Sequence, residues 1–315
     1  MTGNKGNKKI IIAILAVIIA ILAVLYLIFA ERIAGLFENL DPKLGYSDIA
    51  GIYENPPKAG SVEIHIIDVG QGDSILIRSS SGNILIDAGT SASEPDLKAH
   101  LDACKVKSID YFFCTHPHDD HIGGADMILD SYEIGRLILT DAPSAGFAFE
   151  KLLEKVEEHS TDAAIAAAGD KFAVGDMTFT VLAPISSASD ANDYSLVIKM
   201  VYEDISFLFM GDAGFPVESE MLLNYPGEEL DCDFIKIGHH GANTSTGADF
   251  LNAVTPDIAA ISCGKNNEYG HPRGEMLARL ADSGCKTVLR TDRHGTAVVL
   301  TDGKVLTAIT DNQIK

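Results

Sequence analysis

Tryptophan is missing altogether, and Lys and Arg together number only 24 against 45 Asp and Glu, a formal net charge of −21 over 315 residues. A protein that grips nucleic acid regardless of sequence needs a basic stripe to displace counterions from phosphates, and single-strand binders add aromatic platforms for the bases. No such track is evident here, so the partners left open are a small substrate or a nucleic acid held mainly at a reactive centre. The five cysteines (Cys104, Cys114, Cys232, Cys263 and Cys285) are scattered, odd in number and never spaced CxxC. That excludes a disulfide framework and a cysteine zinc knuckle. Short repeats and low-complexity tracts are lacking too, and an apolar content of 46% with 22% charged residues excludes wholesale disorder.

One long apolar run is present. From Ile10 to Ala30 every side chain is apolar apart from the Tyr26 hydroxyl. As a helix this run spans roughly 31 Å, about one hydrocarbon core. Lys5, Lys8 and Lys9 precede it, and Glu31 and Arg32 follow. The lysine excess predicts a cytoplasmic head at 1–9, a single-pass transmembrane signal anchor at 10–30, and a carboxyl-terminal part outside the cytoplasm. A cleaved signal peptide has a shorter apolar region, about 7–15 residues, and ends in a small-x-small site; here Ile28 stands two before Ala30. Residues 31–60 read as a juxtamembrane linker, ending in Glu54-Asn55-Pro56-Pro57-Lys58-Ala59-Gly60, which stops regular structure.

From 61 to 315 the texture is that of a folded domain. Strands are expected at 62–67, 74–78, 83–87 and 111–115, and again at 171–174, 177–182, 195–202, 205–210, 234–238, 258–262, 287–290 and 297–300. Helices are expected at 95–103, 147–159, 217–223, 248–254 and 274–283. Two runs of strands interleaved with helices predict two packed sheets with helices on their outer faces.

The chemistry concentrates in Thr115-His116-Pro117-His118-Asp119-Asp120-His121-Ile122-Gly123-Gly124, at the end of the apolar 111–115 strand. Three imidazoles and two carboxylates in six residues are a dense set of metal-ligand donors. His116 and His118 can converge on one ion from an extended turn, and Asp120 and His121 can reach a second. A merely solvated loop accounts poorly for that spacing.

This stretch resembles the HxHxDH signature of the metallo-β-lactamase superfamily. Further matches are Ile84-Leu85-Ile86-Asp87-Ala88-Gly89, Phe209-Met210-Gly211-Asp212 and Lys236-Ile237-Gly238-His239-His240-Gly241. With Asp68-Val69-Gly70-Gln71-Gly72-Asp73, Asn192-Asp193-Tyr194-Ser195-Leu196-Val197 and Tyr269-Gly270-His271-Pro272, the likeness narrows to the ComEC-like hydrolase domains of competence proteins and covers nearly all of 61–312. The resemblance implies a four-layer αββα fold of the α/β class holding two divalent ions, zinc or manganese. It assigns His116 and His118 to the first ion, Asp120 and His121 to the second, and Asp212 to both. His239 or His240 would complete the second set, with His239 favoured because it directly follows a strand. Asp87 would stand behind the ligands and orient the histidine loop, as ligating imidazoles need a carboxylate or carbonyl on the other nitrogen. Taken alone, Asp87 and Asp212 are equally well explained as turn caps.

One departure matters. The superfamily commonly supplies another first-site histidine between the HxHxDH loop and the bridging Asp, whereas His159 lies in a charged, solvated helix and the matching region offers Asn192-Asp193-Tyr194-Ser195. An oxygen-richer first site would tolerate manganese. The implied chemistry is attack by water ionised between two ions about 3.5–4 Å apart, with Asp120 holding its proton. His271 could protonate a leaving group or donate to a phosphoryl oxygen, and a surface-turn role fits it nearly as well. Lys265 and Arg273 could hold a substrate anion or be ordinary solvated charges. Gln71 and Asp73 could face the ions or only shape a turn. His294 reads as a hairpin residue, and His65 and His100 as structural.

Three functions follow. The first is a phosphodiesterase or nuclease, with DNA a candidate substrate. The second is another hydrolase on the same scaffold: a β-lactamase, lactonase, thioesterase or phosphorylcholine esterase. The third is a non-catalytic surface module. A single apolar span also means that the chain is not a polytopic DNA channel by itself.

Overall fold

The computed structural model describes residues 52–311 apart from 54, 145, 187 and 189. The expected head, the span at 10–30 and most of the linker lie outside the described residues. Among those described, no helix is long and apolar enough to cross a membrane.

Period-two alternation builds the first sheet. In β1 (Val62–Ile66), Val62, Ile64 and Ile66 point into the space between the sheets, which leaves Glu63 and His65 on the opposite face. β2 (Ile75–Ser79) and β3 (Gly82–Ile86) pair antiparallel beside it, and β4 (Ser108–Phe113), β5 (Glu133–Leu139) and β6 (Ala163–Ile165) continue in parallel. The second sheet holds β7 (Lys171–Val174), β8 (Met177–Ala183), β9 (Val197–Tyr202), β10 (Ile205–Phe209), β11 (Phe234–Lys236), β12 (Ile258–Ile261) and β13 (Thr287–Arg290). β14 (Ala297–Thr301) and β15 (Leu306–Thr310) then return to the first sheet beside β1. The orders are β15-β14-β1-β2-β3-β4-β5-β6 and β13-β12-β11-β10-β9-β8-β7.

Three apolar clusters fix the layers. Ile64, Ile77 and Phe113 meet Phe179, Phe207 and Phe209 between the sheets. Leu76, Leu85 and Phe112 pack outward against α1 (Glu94–Ala103), α3 (Ala125–Ser131) and α4 (Phe147–His159), through Leu97, Ile128 and Leu152; the one-turn α2 (Asp119–Ile122) precedes α3. On the other side Leu208, Ile235 and Ala259 pack against Met221 of α5 (Phe215–Asn224), Phe250 of α7 (Ala248–Val254) and Leu280 of α8 (Gly274–Asp282). The short α6 (Gly227–Leu230) and α9 (Thr291–His294) complete that half. Helix, sheet, sheet and helix therefore stack, because each sheet is apolar on both faces.

Several expectations shift. The strand expected at 111–115 begins at Ser108 and ends at Phe113, because the Thr115 amide leaves the ladder to donate to Asp87 Oδ1 at 2.7 Å. His294 is not a hairpin residue: it closes a helical turn, is buried, and its Nδ1 accepts from the Arg290 amide at 2.9 Å. What positions the site is the common end of the parallel strands. Asp87 follows β3, the histidine loop follows β4, Asp212 follows β10 and His239-His240 follows β11, the usual place for ligands in α/β sheets.

Candidate metal centre

The histidine loop is pinned from both sides before any ligand is considered. Asp87 stands in the left-handed region at φ 59°, and its carboxylate accepts from the Thr115 amide at 2.7 Å and the Thr115 hydroxyl at 2.8 Å. The β1–β2 turn presses on the loop's far end, where the Asp73 amide donates to the Asp120 carbonyl at 3.1 Å. A Cβ at Gly72 would meet that same carbonyl oxygen at 2.4 Å, so only glycine allows the approach.

Each buried imidazole is held by one nitrogen, which leaves the other aimed inward. His121 Nδ1 donates to Asp87 Oδ2 at 2.7 Å, and His240 Nδ1 donates to the Ser262 carbonyl at 3.0 Å. His116 Nδ1 lies 3.2 Å from the Thr115 hydroxyl and 3.4 Å from that of Ser195, which also accepts from the Asp212 amide at 3.0 Å. The free nitrogens converge. His116 Nε2 is 3.0 Å from His118 Nδ1 and 4.0 Å from Asp212 Oδ2; His121 Nε2 is 3.2 Å from Asp212 Oδ1; His240 Nε2 is 3.2 Å from Asp120 Oδ2 and 3.5 Å from Asp212 Oδ2. Asp212 thus faces both groups, as a bridging carboxylate must.

These residues fit a pair of divalent cations. His121 Nε2, His240 Nε2 and Asp212 Oδ1 are buried with no hydrogen-bond partner among the described residues, a costly state for polar atoms unless something else is bound there. Burial pulls the His121 imidazole down, but the Asp212 and Asp87 carboxylates beside it raise it well above the ordinary histidine range. Burial opposes protonation of His240 as well, and Asp212, Asp120 and Asp73 lift it to about 10. Asp120, which burial would raise, is brought to about 2 by His240 and His121. The same field that traps protons on these rings draws a cation, whose binding releases them. When bound, such ions supply Lewis acidity and acidify water.

The structure separates His239 from His240. Although His239 directly follows the strand segment 234–238 expected from sequence, it is His240 that is buried with Asp120, His121 and Asp212. His239 stays on the rim, its Nε2 3.8 Å from Asp212 Oδ2 and its ring 5.8 Å from that of His271. Both adopt left-handed backbone (φ 49° and 52°), a turn that exchanges their expected directions. Such strain in non-glycine residues persists only where the surroundings impose it.

His118, Asp120, Asp212, His239, His240 and His271 line an open cavity of ≈570 Å³. Asn192 lies on its wall with Oδ1 buried and unpartnered among the described residues. Burial and the neighbouring His240 and His239 lower His271 to about 4, so its ring is neutral at neutral pH. Tyr269 is stacked on it with ring centres 5.6 Å apart. Gln71 lines the cavity too, and its Oε1 accepts from the Gly264 amide at 3.0 Å. Lys265 and Arg273 are exposed and do not line the cavity.

Sequence reasoning missed Ser195, Thr115 and Lys236 as supports. Lys236 is fully buried and donates to Asp73 Oδ2 at 2.7 Å, while Asp73 Oδ1 lies 3.4 Å from His240 Nδ1. A lysine inside an otherwise apolar strand was the available signal. The Asp87 contact carries a direct prediction. Asp87→Asn weakens the carboxylate that orients His121, so metal affinity at its site is expected to fall about 10–100-fold. Calorimetric titration checks this, and an unchanged affinity would remove Asp87 from the orienting role.

A profile of the metallo-beta-lactamase superfamily matches residues 67–265. ComE operon protein 3 of Bacillus subtilis is 32% identical over 253 residues, 74% of this chain and 32% of that protein. Competence protein ComA of Neisseria gonorrhoeae is 29% identical over 253 residues, 78% of this chain and 34% of that protein. The chain spans about a third of the length of these relatives. Among solved structures, Igni18, a novel metallo hydrolase from Ignicoccus hospitalis KIN4/I, superposes with a TM-score of 0.51 at 14% identity, covering 75% of this chain and 98% of that one; this likeness concerns the fold alone. The chain belongs to the metallo-beta-lactamase superfamily, and within it to the ComEC-like competence group.

Proposed function

We propose that the chain is a membrane-anchored, extracytoplasmic hydrolase that cleaves phosphodiesters with the help of two divalent ions, zinc or manganese, DNA strands being candidate substrates. The observation that carries this reading is the convergence of unpartnered His121 Nε2, His240 Nε2 and Asp212 Oδ1 at the wall of an open cavity. A paired site of this kind suits in-line displacement at phosphorus. His116, His118, Asp120, His121, Asp212 and His240 hold the ions. Asp120 keeps an ionised oxygen beside the reacting water and takes its proton. Neutral His271, braced by Tyr269, donates a hydrogen bond to a phosphoryl oxygen where charge accumulates. Asn192 offers a second polar contact from the cavity wall.

The test uses bis-p-nitrophenyl phosphate, single-stranded DNA and nitrocefin, each with and without chelator. The expected result is chelator-sensitive cleavage of the phosphodiesters and no nitrocefin turnover. Nitrocefin turnover alone transfers the protein to the other hydrolases of this scaffold. No metal-dependent turnover of any substrate leaves a surface module. For the anchor at 10–30, the full chain is expected in the membrane fraction with its folded part cut by protease added outside; recovery in the soluble fraction overturns that placement.

A further inference from the structure

A second cluster of donors lies on the helix-covered face of the first sheet. Glu63 and His65 point outward from β1, and Arg78, directly opposite Glu63 on β2, joins them. α1 crosses above and delivers His100 and Cys104, one residue past its end. Arg78 donates to Glu63 Oε2 at 3.0 Å, and the same oxygen lies 3.3 Å from His65 Nε2. A carboxylate on Nε2 fixes the tautomer, so the His65 Nδ1 lone pair faces away from Glu63. It faces His100 Nε2 at 3.1 Å, which is itself 3.7 Å from Cys104 Sγ.

We propose that His65, His100 and Cys104 form a third metal site, independent of the cavity, for a thiophilic closed-shell cation, zinc(II) or copper(I). The three ligand atoms lie within 4.8 Å of one another. Metal–nitrogen bonds of about 2.0–2.1 Å and metal–sulfur bonds of about 2.3 Å place tetrahedral ligands roughly 3.3–3.6 Å apart. The 3.1 and 3.7 Å separations bracket that range. His116 Nε2 and His118 Nδ1, the adjacent donors of the cavity site, stand 3.0 Å apart. The Glu63 contact repeats what Asp87 does for His121: a carboxylate on the far nitrogen orients a ligating ring. A Cys104 thiolate formed on binding would balance copper(I) fully and zinc(II) by half. His65 and Cys104 are buried, and half-buried His100 leaves a way in. Tyr53 closes the side, its ring 5.0 Å from that of His100.

The site is distinguishable because every other ligand proposed in this chain is nitrogen or oxygen. The full chain is loaded with cobalt(II) and read for the near-ultraviolet thiolate-to-cobalt charge-transfer band, with metal content measured in parallel. Expected are that band and three ions per chain. Cys104→Ser and His100→Ala should each abolish the band and lower the content by one while phosphodiester turnover stays at the wild-type level; Cys114→Ser should leave the band intact. Zinc(II) and copper(I) titrations then identify the preferred ion, and binding of either lost in Cys104→Ser supports the site. A wild-type chain with two ions and no band overturns it, as does a band that survives Cys104→Ser. The cluster would then be a hydrogen-bonded chain only.

Discussion

Asp212→Asn is expected to lower kcat/KM for a phosphodiester by about a thousandfold or more, close to 4 kcal/mol of barrier. Four imidazoles approach this carboxylate: His121 at 3.2 Å, His240 at 3.5 Å, His239 at 3.8 Å and His116 at 4.0 Å. Its two oxygens thus stand before donors from both halves of the set. The amide keeps the shape but removes the negative charge, and its NH₂ group turns toward nitrogens that must be lone-pair donors. Metal bound in the cavity should fall from two ions to one or fewer, with the circular dichroism of the fold unchanged. A variant that keeps both ions and wild-type turnover would show that Asp212 does not bridge. Asn192→Ala, which alters only the wall, serves as the milder comparison.

Lys236→Met should cost about 3–5 kcal/mol of folding stability, measured by urea unfolding. Lys236 and Asp73 are both buried, and the ammonium also donates to the Ile237 carbonyl at 2.9 Å. Burial would raise the Asp73 carboxyl, yet Lys236 and His240 hold it below the ordinary carboxylate range. Removing the cation leaves a charge in the interior with one partner fewer, and that uncompensated state is what destabilises. The double variant Asp73→Asn with Lys236→Met should therefore be more stable than Lys236→Met alone. A loss below about 1 kcal/mol for the single change would place the pair among weakly coupled ion pairs.

The histidine loop was legible because its donors are consecutive: residues 116–121 declare themselves without knowledge of any distant contact. Amphipathic α4 was legible for the same reason, its bounds 147–159 following from Leu152 and Val156 at helical spacing. The supports were not. Asp73 and Lys236 lie 163 residues apart and Ser195 and His116 lie 79 apart, so only the fold joins them. The choice between His239 and His240 turned on two left-handed residues, a backbone state that side-chain identity does not announce. β5, β6 and β15 escaped because they are edge or near-edge strands: Gly135 and Arg136 break the apolar run of one, and Ala163–Ile165 is only three residues long.

The donors come from opposite ends of the chain's order. His116, His118, Asp120 and His121 arise in the first sheet's half, and Asp212 and His240 in the second. A polypeptide emerging amino end first would expose the imidazole cluster long before its bridging partner exists. Tight capture of the paired ions in the cavity must wait until both halves have closed on each other, so loading of that pair would report that maturation is complete.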